Sequence, residues 1–410
     1  MENIDLILKN LTGKEEKKAL EAARYMIDTS DVGLFQKLVD KSDYLFDFVR
    51  DNVIKRIKKS VNEKNFRNIV NFFEIYSPYY DDLFAEILSK YADEDFTDEM
   101  CDLLEKGTNQ QKSYAAKYFC FIPDTIAAEI LVKLAFFEDD NLNYNCAEAL
   151  GQMQDDLSYN KALNLLQSSD DFDKLKAVKF FCGYGEKYPL REIFSAMKKS
   201  NMPENIAGQI PYMQSLTELL NSNDTKEDAI LTINYIVSGL GEILPLSDIF
   251  QFELFELAEC LVNTNKSDNF YSGKIAVVLL KMYSKFMLFT ENQEYAFDET
   301  KETKKEINAV FNLLNNQGKE FWDLQKNYVR AALKQDKESI IAALDLVGEF
   351  SLTDLVADIK NILESCEDEI ILYESLSALK KINSLSKDDV VNVSEKIHNP
   401  NIKAIIDALL

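Results

Sequence analysis

Carboxylates crowd two stretches of this chain, and paired carboxylates are the raw material of acid–base catalysis and of hard-cation coordination. Asp93, Glu94, Asp95, Asp98, Glu99 and Asp102 form the first stretch. Glu138, Asp139 and Asp140, followed by Asp155, Asp156, Asp170, Asp171 and Asp173, form the second. Neither has the spacing of a calcium loop with its central glycine, so both read as turns and solvated helix faces. The single histidine, His398, excludes His-rich zinc sites and any scheme that needs two imidazoles. Its place before Asn399-Pro400 is that of a helix end, where a partly cationic ring suits the dipole. Gly183-Tyr184-Gly185 and Gly239-Leu240-Gly241 lack the third glycine and the lysine of phosphate-cradling loops and read as helix-ending turns. No catalytic, cofactor-binding or metal-binding residue is assigned.

Binding chemistry is better represented. Two polar columns recur at a spacing of 31 residues: Lys37, Asn68, Glu99, Ile130, Lys161, Glu192, and Asp40, Asn71, Asp102, Lys133, Asn164, Ser195. An amide offers both donors and acceptors, so Asn68, Asn71 and Asn164 suit the backbone of an extended peptide. Together with Glu99, Asp102, Lys133 and Lys161 they are the candidate partner-binding residues. One basic patch, Arg50, Lys55, Arg56, Lys58, Lys59, Lys64 and Arg67, stands out and reads as the exposed face of an amphipathic helix. Tyr76, Tyr79 and Tyr80 around Pro78 are interface candidates, and Phe250, Phe252 and Phe255 beside Pro245 are read as core.

The elements that must position these residues are helical hairpins. Tyr144–Gln152 reads YNCAEALGQ, and 31 residues either side stand SYAAKYFCF (Ser113–Phe121) and LKAVKFFCG (Leu175–Gly183). One column is Ala23, Ile54, Ala85, Ala116, Ala147 and Val178; three residues on come Met26, Ile57, Leu88, Phe119, Leu150 and Phe181. Small or β-branched followed by large at i and i+3 is one apolar helix face. A fixed period of this length marks a stacked repeat. At the same spacing, Asp31, Asn62, Asp93, Asp124, Asp155 and Glu186 precede the second helices, five of the six being Asp or Asn, which cap the N–H groups of a first turn. Behind them Leu38, Ile69, Met100, Leu131, Ala162 and Ile193 form a second buried face. The period fails after Asn201, where Pro203, Pro211 and Pro245 interrupt longer helices over Asp224–Gly241, Leu246–Asn263 and Tyr271–Phe289. Glu291–Glu306 reads as a polar linker. The repeat resumes where Ala342–Gly348 matches Glu374–Lys380 at a spacing of 32, and Asn401–Leu410 reads as a docked capping helix.

The expected divisions are six regular hairpins over 1–201, irregular longer helices over 202–300, and C-terminal hairpins with a cap over 301–410. A repeat of this length with a small-residue pair, Leu-Gly and an acidic turn resembles the HEAT-like repeats of the phycobilisome-lyase type. Cys146-Ala147-Glu148-Ala149-Leu150-Gly151-Gln152-Met153, with Asp155-Asp156, carries the resemblance most fully. Lysine or asparagine (Lys112, Asn143, Lys174) stands near where such repeats commonly carry an arginine. The resemblance implies an all-α, right-handed superhelix, interrupted by the irregular helical middle segment that the broken period marks. That fold hosts scaffolds, lyases and DNA-binding members alike.

Charge narrows the choice. A net charge of −24 opposes nucleic-acid phosphate and anionic membrane surfaces and favours a basic partner. Cys120 and Cys182 share a column two repeats apart, hence about 20 Å, too far for a disulfide. The six cysteines are expected to be reduced thiols in a cytoplasmic protein. The opening residues carry no secretory pattern, and no apolar run is long enough to span a bilayer. The expectation is a monomeric, non-catalytic scaffold that binds a basic or extended protein or peptide along its concave face, with no cofactor, nucleic acid or membrane. The alternative is a HEAT-like lyase or ligand-binding protein with a cleft in the irregular segment, and a DNA-repair solenoid ranks last.

Overall fold

The computed structural model describes residues 4–29, 33, 56–70, 81–137, 143–185, 188–268, 270–291 and 301–407. These residues are mostly helical and form no strand, with one isolated β-bridge between Leu240 and Leu244. The chain divides into two compact units, Met1–Met213 and Gln214–Leu410. The division falls twelve residues past the point where the sequence period stops (213 − 201), so the short α-helix after Pro203 belongs to the first unit.

The first unit begins with α1 (Ile4–Leu11) and α2 (Glu16–Thr29), then a helical stretch over 56–60 and a 3-10 turn, Phe66–Ile69. There follow α3 (Asp81–Ser89), α4 (Glu94–Lys106), α5 (Asn109–Phe121), α6 (Ala128–Phe137) and α7 (Asn143–Gln152). The unit ends with α8 (Asp156–Leu165), α9 (Asp171–Gly183), α10 (Leu190–Lys199) and α11 (Pro203–Ala207). The first helices of successive hairpins, α3, α5, α7 and α9, pack side by side. Each of α4, α6 and α8 lies on the first helix of the following hairpin.

The packing explains the columns. Every described member of the two first-helix columns, from Ala23 and Met26 to Val178 and Phe181, is buried. So are Ile69, Met100, Leu131, Ala162 and Ile193 on the second helices. Each large apolar side chain among them contributes about 1.5–3 kcal/mol on removal from water before entropy is counted, each alanine less, and no single hairpin buries both faces alone. Small residues let α7 and α9 touch at the backbone. A Cβ on Gly151 would sit 2.0 Å from the Phe180 carbonyl oxygen, and one on Gly183 would sit 2.7 Å from the Gln152 nitrogen. Between α5 and α7 the nearly buried Lys117 pairs with Glu148 at 2.9 Å, and Asn145 donates to the Ser113 hydroxyl at 2.9 Å. These pairs, 31 and 32 residues apart, make α5 and α7 parallel.

The acidic caps fall where the period places them. Asp93, Asp124 and Asp155 accept from the backbone N–H of Phe96, Ile126 and Ser158 respectively. Asn62 accepts from Lys64, but the segment after it starts as a turn and a 3-10 helix. Asn65 accounts for the difference. Its side chain accepts from the Asn62 N–H and donates to Asp28, competing with the α-helical ladder. Glu186 and Asp31 lie outside the described residues. The helix after Glu186 starts only at Leu190, behind Pro189, with no side-chain cap.

The second unit starts with α12 (Leu216–Asn221), α13 (Lys226–Gly239), α14 (Leu254–Ser267) and α15 (Ser272–Glu291). Then come α16 (Lys301–Asn315), α17 (Gly318–Leu324), α18 (Lys326–Ala332) and α19 (Lys337–Phe350). It closes with α20 (Val356–Ser365), α21 (Glu369–Lys381), α22 (Lys387–Lys396) and α23 (Pro400–Asp407). The 20-residue α15 is the hub: α13, α14, α16, α18 and α19 all pack on it. Its Tyr283 meets Phe311, Trp322 and Phe350 in one aromatic cluster. The buried Lys281 and the half-buried Lys285 on the same helix reach Glu338 of α19 at 3.3 and 3.8 Å.

Part of the expected linker is helix. Lys301–Glu306 forms the first turns of α16, anchored by the buried Thr303 and by Ile307. Residues 292–300 lie outside the described set. The capping helix α23 docks on α21 and α22. The matched pair α19 and α21 pack together, and both exit through a left-handed residue, Ser351 (φ 51°) and Asn383 (φ 55°), 32 positions apart. In the first unit Gln154 (φ 53°) does the same after α7. At all three exits the next N–H reaches back five residues: Asp155 to Leu150, Leu352 to Val347, and Ser384 to Leu379. This 6→1 bond is the Schellman closure.

Candidate partner-binding surfaces

The polar columns of the second helices fall on three consecutive hairpins of the first unit. Asp102 on α4, Lys133 on α6 and Asn164 on α8 occupy one position each, and all three are exposed. Glu99, one turn before Asp102, is exposed as well. Asp102, Lys133 and Asn164 are thus presented to solvent in a row at the repeat spacing, with Glu99 beside the first. Of the four, two are acidic, one is basic and one is neutral, and Asp102 is paired along its own helix with Lys106 at 2.6 Å. An exposed pair of this kind is screened by solvent and contributes little, so it yields readily to a competing cation.

The other three candidates part company with the row. Asn68 is half-buried and donates to the Ile27 carbonyl at 3.0 Å, so its amide holds α2 to the following hairpin. Lys161 is half-buried with its ammonium 5.5 Å from the centre of the Phe136 ring, a cation–π contact linking α8 to α6. Asn71 lies outside the described residues. The three asparagines therefore do not form one described peptide-binding row.

The basic patch is largely neutralised. Arg56 is buried, pairs with Glu16 at 3.0 Å and donates to the Leu11 carbonyl. Lys58 reaches Glu86 at 3.1 Å, Lys59 reaches Glu16 at 3.5 Å, and Arg67 reaches Asp93 at 3.0 Å. Arg56 thus departs from the exposed-face reading: it ties α1 and α2 to the next hairpin. Arg50, Lys55 and the tyrosines around Pro78 lie outside the described residues.

In the second unit a cleft of about 430 Å³ opens between α12, the turn before α14, α14 itself and α16. Four glutamates line it, Glu218, Glu253, Glu256 and Glu306, with Ser215, Thr217 and the half-exposed Phe250. Burial and the Glu256 charge push the Glu306 carboxyl above its ordinary range. Phe250 is at the cleft; only Phe252 of the three phenylalanines beside Pro245 is fully buried. The glutamates come from three segments without a common period, so no sequence pattern announces them.

Several other candidates prove structural. His398 donates its backbone N–H to Glu369 at 2.6 Å between α22 and α23. Gly185 and Gly241 adopt left-handed φ values of 79° and 84° in helix-ending turns. Burial pushes the Cys182 thiol up to about 12 and the Cys101 thiol up to about 11, which makes both poor nucleophiles. Lys174 and Asn201 hold Asp171 well below the usual carboxylate range, which fixes this acid as the ionised anchor of the α9 start. Among the described residues no group of three or more His, Cys, Asp or Glu is disposed to hold a metal ion. No described helix is long and apolar enough to cross a membrane.

Sequence reading missed one further surface. Ile126 and Leu157, again 31 residues apart, stand at the second position after the capping Asp124 and Asp155 and are 58% and 81% exposed. The available signal was an apolar residue following an Asp cap in two consecutive repeats.

No protein-family model matches the chain, and no curated protein matches it significantly.

Proposed function

We propose that this chain is a non-catalytic protein-binding scaffold, built of HEAT-like hairpins stacked in a right-handed superhelix. It takes a basic, extended segment of a partner along the polar side of α4, α6 and α8. The observation that carries this reading is the row Asp102, Lys133 and Asn164, exposed on three successive second helices whose opposite faces are buried. A repeated polar position offers an extended chain one contact per hairpin, and many modest contacts sum to useful affinity. The net charge of −24 supports a basic partner through steering and disfavours nucleic acid and anionic lipid. The reading predicts capture of a protein from native lysate at low salt and its release at high salt. It also predicts loss of that capture when Glu99 and Asp102 are both replaced by lysine in a chain with unchanged circular dichroism. A partner retained by the double variant, or no salt-sensitive partner at all, argues against it.

A second reading has support from the acidic cleft. Its volume lies in the range of small-molecule sites, about 300–1,000 Å³. Four glutamates beside the Phe250 ring suit a cationic ligand. They do not suit a bilin, whose propionates need the lysines or arginines that the lining lacks. The lyase form of the alternative is therefore the weaker one.

A further inference from the structure

We propose that the turn edge of the first unit, where α5 passes into α6 and α7 into α8, is a docking ridge for an extended basic segment of a protein partner. This rests on the reading of the chain as a binder of basic protein but places the contact away from the polar helix faces. The ridge consists of Ile126 and Leu157, which are 58% and 81% exposed.

Isolated exposed apolar residues are ordinary on soluble proteins. Here they are in register. Ile126 and Leu157 occupy the same station of consecutive hairpins, each two residues past an aspartate that caps the helix start. The parallel contacts Lys117–Glu148 and Asn145–Ser113 put the equivalent ends of α5 and α7 side by side. The packed first helices α5 and α7 stand about 8–10 Å apart, and that hairpin spacing sets the pitch expected between the two side chains. A polyproline-type segment has three residues per turn and advances about 9 Å per turn. Apolar residues placed every third position on such a segment meet Ile126 and Leu157 from one face.

Charge selects the occupant. Asp124, Glu129, Asp155 and Asp156 flank the two apolar side chains in sequence, and the cation one turn on from Leu157, Lys161, is held over the Phe136 ring. The caps are spent on backbone N–H groups but remain ionic, and Asp156, which accepts from the Tyr184 hydroxyl, is exposed. Lysines or arginines between the apolar residues of the incoming segment would meet these carboxylates. A second copy of this chain would bring acid against acid, and an anionic lipid surface would be repelled. A basic, apolar-studded protein segment is the occupant that satisfies both halves of the ridge.

The test is a fluorescence-anisotropy titration of the full chain with a labelled synthetic peptide of repeated Leu-Lys-Pro units. A Gln-Lys-Pro peptide of equal charge serves as the control. The wild type is expected to bind the leucine peptide at least about tenfold more tightly than the glutamine peptide. Ile126→Ser with Leu157→Ser should abolish that preference while leaving the weak, salt-sensitive binding of the glutamine peptide unchanged. Both positions are exposed, so the variant is expected to keep its fold, and circular dichroism checks this. Equal binding of the two peptides by wild type overturns the ridge. So does a leucine preference that survives in the double serine variant. If Glu99→Lys with Asp102→Lys removes binding of both peptides and the serine variant removes neither, the polar face stands and the ridge falls. If wild-type chains self-associate and the serine variant does not, a second copy is the occupant and the proposal is overturned.

Discussion

The two units solve the same packing problem with different contacts. In the first, a row of parallel helices is brought so close that α7 and α9 touch backbone to backbone at Gly151 and Gly183. In the second, helices gather around α15, and the space between them is filled by side chains, among them Tyr283, Trp322, Phe350 and the buried Lys281. The contrast is sharpest at two equivalent glycines. Gly151 and Gly348 each stand three residues before a left-handed exit, at Gln154 and Ser351. A Cβ on Gly151 meets the Phe180 carbonyl oxygen at 2.0 Å, whereas one on Gly348 meets the Lys381 Cδ at 2.8 Å. The first neighbour is a fixed backbone and the second is the middle of a flexible side chain. The same residue type at the same station therefore faces an immovable neighbour in one unit and a movable one in the other.

Substitution by alanine is the strongest way to break this comparison. Gly151→Ala forces α7 and α9 apart and is expected to destabilise the first unit by about 3 kcal/mol, as overpacking of a rigid site does. Gly348→Ala lets Lys381 swing aside and gains helix propensity worth up to about 1 kcal/mol, so it should be near neutral. Chemical denaturation of the two single variants measures both. Equal losses would mean that the second unit is packed as closely as the first.

A charge comparison follows at the next turn of the same helices. Three residues before each glycine stand Glu148 and Asp345. Glu148 faces Lys117 of the neighbouring helix, but Asp345 faces Glu374 on α21. Burial, together with the Asp345 charge, pushes the Glu374 carboxyl up to about 7, with Lys381 opposing. A folded pKa above the ordinary 4.5 means that the folded chain holds a proton which the unfolded chain has released. The stability from this group is complete below about pH 4.5 and is lost as pH rises through 7. After discounting for partial exposure, Glu374→Gln should stabilise the chain by about 1–2 kcal/mol at pH 8 and have little effect at pH 4. Denaturation midpoints of variant and wild type across that range check the sign. A constant difference would show that Glu374 titrates normally and that the like-charge pair is not in contact.

Much of the first unit was legible in the sequence because its period is locked to geometry. Ala116 and Phe119, Ala147 and Leu150, Val178 and Phe181 are buried for the reason their spacing implies: positions i and i+3 share a helix face. The caps Asp93, Asp124 and Asp155 were legible for the same reason. The candidate site was less so. Periodicity tells which face a residue is on, but not whether its side chain is already engaged. Asn68 is held by the Ile27 carbonyl, Lys161 by the Phe136 ring and Arg56 by Glu16, and each partner comes from another helix. The acidic cleft was invisible because Glu218, Glu256 and Glu306 meet only through tertiary packing. Ile126 and Leu157 were in plain register, yet an apolar residue in a repeat is read as core until its exposure is known.

The finest distinction concerns what the two units share. Gln154, Ser351 and Asn383 all adopt a left-handed conformation that L-residues other than glycine enter at a cost of about 1 kcal/mol. Asparagine tolerates it best, because its short amide bonds locally to the backbone. If the Schellman exit is the common device of both units, glycine at these positions should relieve the strain in proportion. Gln154→Gly and Ser351→Gly should each stabilise by about 0.5–1 kcal/mol, and Asn383→Gly by about 0–0.5 kcal/mol. Glycine also loosens the unfolded chain, so the net gain is the strain relieved less that entropy. The order of the three gains is thus the sharper test. A loss at Gln154 alone would mean that its side chain, close to Gly185, fastens the α7 exit to the end of α9, and that the two units close their hairpins differently after all.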